Sequence, residues 1–131
     1  MNSFDELCTK ISQDIDTNEV RSRSRTEQEQ MRFNYAVRTQ LIELWKKHHT
    51  HKDNQSSIQK NKNFYSALKQ YRDPYLTYRM AIQAFEGLQK LDLIEVTKNG
   101  FYDRIKMESS LTRYKATPKL SEMLNEEMGI L

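Results

Sequence analysis

Cysteine occurs once in this chain of 131 residues, proline twice and glycine three times, and each shortage closes off a class of protein. Cys8 alone cannot form an internal disulfide or a cysteine-rich metal site, which makes the reducing cytoplasm its natural setting. Three glycines leave no room for a glycine-rich phosphate loop. No stretch comes near the roughly 18–20 consecutive apolar residues that a membrane-spanning helix needs. The opening MNSFDELCTK carries acids where a secretory signal carries bases, and no apolar run follows it. With 37% hydrophobic and 30% charged residues, the length supports one domain with an economical core.

Charge is present but unevenly placed. Residues 1–20 hold one base and five acids (net −4), and residues 120–131 hold three acids and no base (net −3). The segment between them, 21–119, holds 20 bases and 10 acids (net +10), although the whole chain is only +3. A basic centre between acidic ends suits a polyanion-binding body with separate packing helices; ordinary surface charge is the alternative.

Ser3 with Glu6 makes a capping box, and Phe4, Leu7, Cys8, Ile11 and Ile15 recur at helical spacing. An amphipathic helix is predicted over 3–16, within an acidic N-terminal segment 1–20. Its stripe of Phe4, Leu7, Ile11 and Ile15 needs burial, on the body or on a second copy, and is the candidate face of a homodimer. TNEVRSRSRT then lacks periodicity and reads as a linker, basic over 21–25. Arg21, Arg23 and Arg25 make it a candidate basic arm for phosphates or a minor groove, with a solvated linker as the alternative.

Thr26 can cap a second helix over about 26–48, with Met31, Tyr35, Val37, Leu41, Ile42, Leu44 and Trp45 as its apolar face. His48, His49 and His51 follow near its end, but helix ligands sit at i and i+4 and no carboxylate or thiol completes a metal set. Residues 49–57 are a polar loop, and SIQKNKNFYSALKQY holds a short strand or turn and then a short helix around 63–71. Arg72-Asp73-Pro74 forces a turn. Thr77 caps a helix to about Leu91 that buries Ala81, Phe85, Leu88 and Leu91, with Ala84 and Tyr78 on its flanks. LIEVT reads as a strand, Asn99-Gly100 as a tight hairpin turn, and LTRYKAT (111–117) as a second strand ended by Pro118. A last helix is predicted over 120–128.

The chemistry lies in the second half. Tyr78, Arg79, Ile82 and Gln83 are predicted to face away from the apolar side of their helix. Arg pairs with guanine, Gln with adenine, and Tyr or Ile touches a thymine methyl, so these four are candidate base-reading residues. Lys98, Arg104, Lys106, Arg113 and Lys115 fall in or beside the hairpin, and the period of two places Arg113 and Lys115 on one face of their strand. Together with Lys60, Lys62, Lys69 and Arg72 they are candidate backbone contacts. No enzyme signature accompanies them. Cys8 has no histidine near it in sequence, and Asp92, Glu95, Asp103 and Glu108 read as solvated charge of the hairpin instead of a nuclease site.

LTYRMAIQAFEGLQKLDLIEV, a basic hairpin and then TRYKATPKL resemble the recognition helix and wing of winged-helix repressors. In those families a Leu-x-x-x-Gly-Leu-Ile pattern ends the helix and Tyr-x-x-Thr-Pro closes the wing; here Asp92 stands at the glycine position. The stretch from KNKNFYSALKQYRDPYLTYR onward also resembles DNA-binding domains of replication initiators on plasmids and phage satellites, the two resemblances together covering roughly 30–125. They imply a mainly α protein with a small β-hairpin, a winged helix-turn-helix over 26–131 with an extra N-terminal helix. The implied function is sequence-specific binding of double-stranded DNA without catalysis, cofactor or metal, in the bacterial cytoplasm at the nucleoid. Origin recognition by a mobile-element initiator, as an N-terminal part of a longer protein, is the leading role. A small transcriptional repressor and a protein-binding winged helix are the alternatives.

Overall fold

A computed structural model of the chain describes residues 3–17, 25–50, 56–58, 76–103, 105 and 108–128. The first helix forms where the apolar spacing puts it: α1 (Ser3–Thr17) carries Asp5 and Glu6 in its first turn, where the helix dipole favours acids. Phe4, Leu7, Cys8, Ile11 and Ile15 are all buried, in the same core as residues of the later helices. The stripe read as a face for the body or for a second copy therefore packs on the chain itself. As a dimer face it is corrected, because Ile11 and Ile15 are each only 1% exposed.

Thr26 opens α2 (Glu27–Thr50) with a reciprocal cap. The Glu29 amide donates to Thr26 Oγ1 at 3.2 Å, and the Thr26 amide donates to Glu29 Oε1 at 3.0 Å. This helix offers two apolar rows, and the core takes Phe33, Ala36, Val37, Leu41 and Leu44. Ile42 and Trp45 pack partly against that row. Met31 and Tyr35, expected inside, stand 67% and 37% exposed, because Phe33 fills the place in the core.

β1 (Ser56–Ile58) follows, the short strand or turn expected there. The short helix expected around 63–71 lies outside the described residues. Next come α3 (Tyr78–Lys90), β2 (Ile94–Lys98), β3 (Phe101–Asp103), β4 (Glu108–Ser110), β5 (Thr112–Ala116) and α4 (Pro118–Met128). The described residues are thus mainly helical, with a small antiparallel sheet in the order β1-β5-β2.

Asn99-Gly100 does not turn the hairpin. β3 and β4 pair beyond it, with Phe101 opposite Ser110 and Asp103 opposite Glu108. Between β2 and β5 the register slips at Thr97: Val96 faces Tyr114, while Lys98 already faces Arg113. The extra residue is a bulge, which bends the ribbon, and the Gly100 amide donates to Thr112 Oγ1 at 3.0 Å just beyond it. A turn-forming pair here relieves a bend within the ribbon and does not end it.

The end of α3 explains Asp92. Its φ is +59°, the left-handed conformation that glycine adopts at least cost. The Leu93 amide donates to the Leu88 carbonyl at 3.0 Å and the Asp92 amide to the Gln89 carbonyl at 3.1 Å. These are the two bonds of a Schellman stop, with Leu88 and Leu93 both buried as the apolar contact that accompanies it. Asp fills a glycine role here because its short polar side chain tolerates this conformation better than most.

Tyr-x-x-Thr-Pro also acquires physical content. Tyr114 is buried with its ring edge-on to Phe85, centroids 5.0 Å apart, which locks β5 onto α3. Thr117 caps α4, and Pro118 takes its first position, where a missing N–H costs nothing.

Candidate nucleic-acid interface

α3 begins at Thr77, whose hydroxyl accepts from the Met80 amide at 3.3 Å. Its core side is Met80, Ala81, Ala84, Phe85, Gly87 and Leu88. Gln40 Nε2, reaching from α2, donates to the Ala81 carbonyl at 2.8 Å and fixes the helix on the body. A helix seated this way turns Arg79, Glu86 and Lys90 outward, and all three are exposed. Tyr78 and Ile82 are half-buried, each packing in part against the core. Of the four candidate base readers, Arg79 is the one fully presented.

Gln83 has a partner inside the fold. Arg25 Nη2 donates to its Oε1 at 3.2 Å. The same guanidinium pairs through Nη1 with Asp16 near the end of α1, and lies 3.6 Å from the centroid of the Phe33 ring. Only 5% of the Arg25 side chain is exposed. The sequence groups Arg25 with Arg21 and Arg23 in a basic arm. The structure corrects this, since a cation held by a carboxylate, a ring face and an amide is not presented to a phosphate. Arg21 and Arg23 lie outside the described residues.

The sheet carries the second group. Arg113 is exposed and Lys115 half-buried on the outer face of β5, while Thr112 and Tyr114 point into the core. The alternation expected from the sequence is therefore present. Cross-strand pairing sets exposed Lys98 beside Arg113, and half-buried Ser57 on the other side of it. Lys115 lies opposite Glu95 and bonds it at 3.3 Å, an exposed pair worth about 0–1 kcal/mol. Lys98 and Arg113 thus form a two-cation row, with Lys115 partly neutralised next to it. Lys60, Lys62, Lys69, Arg72, Arg104 and Lys106 lie outside the described residues.

Ile105, between Arg104 and Lys106 in sequence, is not among the expected contacts and is 94% exposed. Its signal in the sequence is an apolar residue between two bases, Arg104 and Lys106.

Chemically, the described residues of the arrangement offer donors and cations. Among the described residues no group of three or more His, Cys, Asp or Glu is placed to hold a metal. Cys8 is buried, and that burial is the main force pushing its thiol up to about 11, where it stays protonated and unreactive. No described helix is long and apolar enough to cross a membrane. Comparison with protein-family models, with curated proteins and with solved structures gives no match to this chain.

Proposed function

We propose that this chain is a winged-helix domain that binds specific duplex DNA through α3 and the β2–β5 ribbon. The observation that carries the reading is the sheet order β1-β5-β2, with β1 falling between α2 and α3 in the chain. That arrangement makes α3 the helix immediately before a two-stranded ribbon, the relation of recognition helix to wing. In this reading Arg79 reads a base edge, with Tyr78 and Ile82 beside it for thymine methyl contact. Glu86, exposed further along the helix, suits the amino group of cytosine. Lys98 and Arg113 meet phosphates from the ribbon, supported by the +10 charge of segment 21–119. The role is binding, with no chemistry performed on the DNA.

Within DNA binding, we take origin recognition by a mobile-element replication initiator as the biological role, on the resemblance of the stretch from Lys60 onward. Footprinting on DNA flanking the gene tests it. Protection of repeated sites, preferred over random duplex by about 10³ or more, supports an initiator. A single protected site overlapping the promoter makes the protein a repressor instead. Absence of binding to any duplex at low salt overturns the DNA reading and leaves a protein-binding winged helix.

A further inference from the structure

Gln83 stands on the flank of α3, half-buried, and its amide is oriented by the fold. A guanidinium has five donors and no acceptor, so the Gln83 atom 3.2 Å from Arg25 Nη2 must be the carbonyl oxygen. Arg25 cannot readily leave. It is tied to Asp16, it lies against Phe33, and Asp16 is held in turn by Gln30 Nε2 at 3.2 Å. The outcome is a glutamine whose oxygen already accepts from a buried cation, so that the amide is turned with its oxygen toward Arg25 and its NH₂ group away from it.

That commitment changes what the side chain can read. Bidentate recognition of adenine needs both ends of the amide, the oxygen accepting from N6 and the NH₂ donating to N7. Guanine presents two acceptors, O6 and N7, and needs donors only. We propose that Arg25 is a specificity-determining residue, which makes Gln83 a donor-only reader and selects guanine over adenine at the base it faces. The proposal rests on the reading of α3 as a base-contacting helix. It also gives α1 and the residue before Thr26 a part in specificity, although neither needs to touch DNA.

Selection from a pool of randomised duplexes tests this, using the whole chain and its Gln83→Ala and Arg25→Lys variants. The position at which Gln83→Ala loses its preference marks the base that Gln83 reads. The parent chain should favour guanine over adenine there by about tenfold or more. Arg25→Lys keeps a cation beside Asp16 but loses the fork that spans Asp16 and Gln83. It should erase or reverse the preference at that one position, and circular dichroism checks that the variant is folded. Adenine favoured by the parent chain at that position overturns the proposal while leaving DNA binding intact, a result that holds whether or not the lysine variant folds. A folded Arg25→Lys protein that keeps the parent preference overturns it equally. No enriched duplex for the parent chain overturns both this inference and the DNA reading beneath it.

Discussion

The Thr117 hydroxyl donates to the Asp92 carbonyl at 2.8 Å and accepts from the Leu120 amide at 3.4 Å, so one oxygen pins the end of α3 to the start of α4. The Thr117 amide adds a bond to the Leu93 carbonyl at 3.0 Å. The turn leading from the proposed recognition helix into the ribbon is thereby held from behind. Thr117→Val keeps the shape and removes both hydroxyl bonds at a site only 7% exposed. Loss of a cap together with a part-buried carbonyl's donor should cost about 1–2 kcal/mol, read as a lower urea midpoint with an unchanged slope.

Asp92 itself can be improved. Its left-handed φ strains a non-glycine residue, and its carboxylate sits at the negative end of the helix dipole. Asp92→Gly should raise stability by about 0.5–1 kcal/mol, after allowing for the freer unfolded chain. Asp92→Val should lower it, because a β-branched residue is worst suited to this conformation. Thermal melts of the two variants check the opposite signs.

Gly87 reports how α1 docks. A Cβ added there would lie 2.4 Å from Ile15 Cγ2 and 3.0 Å from both Cγ1 and Cδ1. Ile15 is 1% exposed and has little room to swing away. Alanine would otherwise help a helix by about 1 kcal/mol. Here the overlap should dominate, and Gly87→Ala should destabilise by about 1–3 kcal/mol. Combining it with Ile15→Ala should recover part of that loss in a double-mutant cycle.

Cys8 gives the pH dependence. Burial raises its pKa from 9.0 to about 11, so between those values the folded chain keeps a proton that the unfolded chain has lost. The slope of stability with pH follows protons bound unfolded minus folded, and is therefore negative across this window. The contribution is intact below pH 9 and is lost as pH rises towards 11. Between about pH 8 and pH 10.5, either side of the ordinary thiol range, the urea midpoint should fall further for the parent chain than for Cys8→Ala. The comparison cancels the lysine and tyrosine titrations that the two proteins share.

What the sequence made legible was mostly local. Thr77 as a cap, the burial of Ala81, Phe85 and Leu88 on α3 and the alternation of Arg113 with Tyr114 depend on near neighbours, and the structure has them where the spacing put them. Leu91, expected inside, is only half-buried, and Ala84, expected on the flank, is fully buried. Tertiary competition defeated the rest. α2 carries two apolar rows, and periodicity alone does not say that Phe33 wins over Met31 and Tyr35. Arg25 reads as a solvated arm because its partner Gln83 lies 58 residues away in the chain. Asn99-Gly100 has turn chemistry, but β3 and β4 go on pairing beyond it. β1, three residues long, is legible as a short strand or turn, but its place beside β5 is not.

The proposed contact of the Lys98–Arg113 row with DNA phosphates is tested most directly by binding to a duplex across a salt series. The logarithm of affinity should fall linearly with the logarithm of salt concentration, and Lys98→Ala with Arg113→Ala should reduce that slope by about 2. Absence of duplex binding at low salt, or a slope unchanged in the double variant, would contradict the claim.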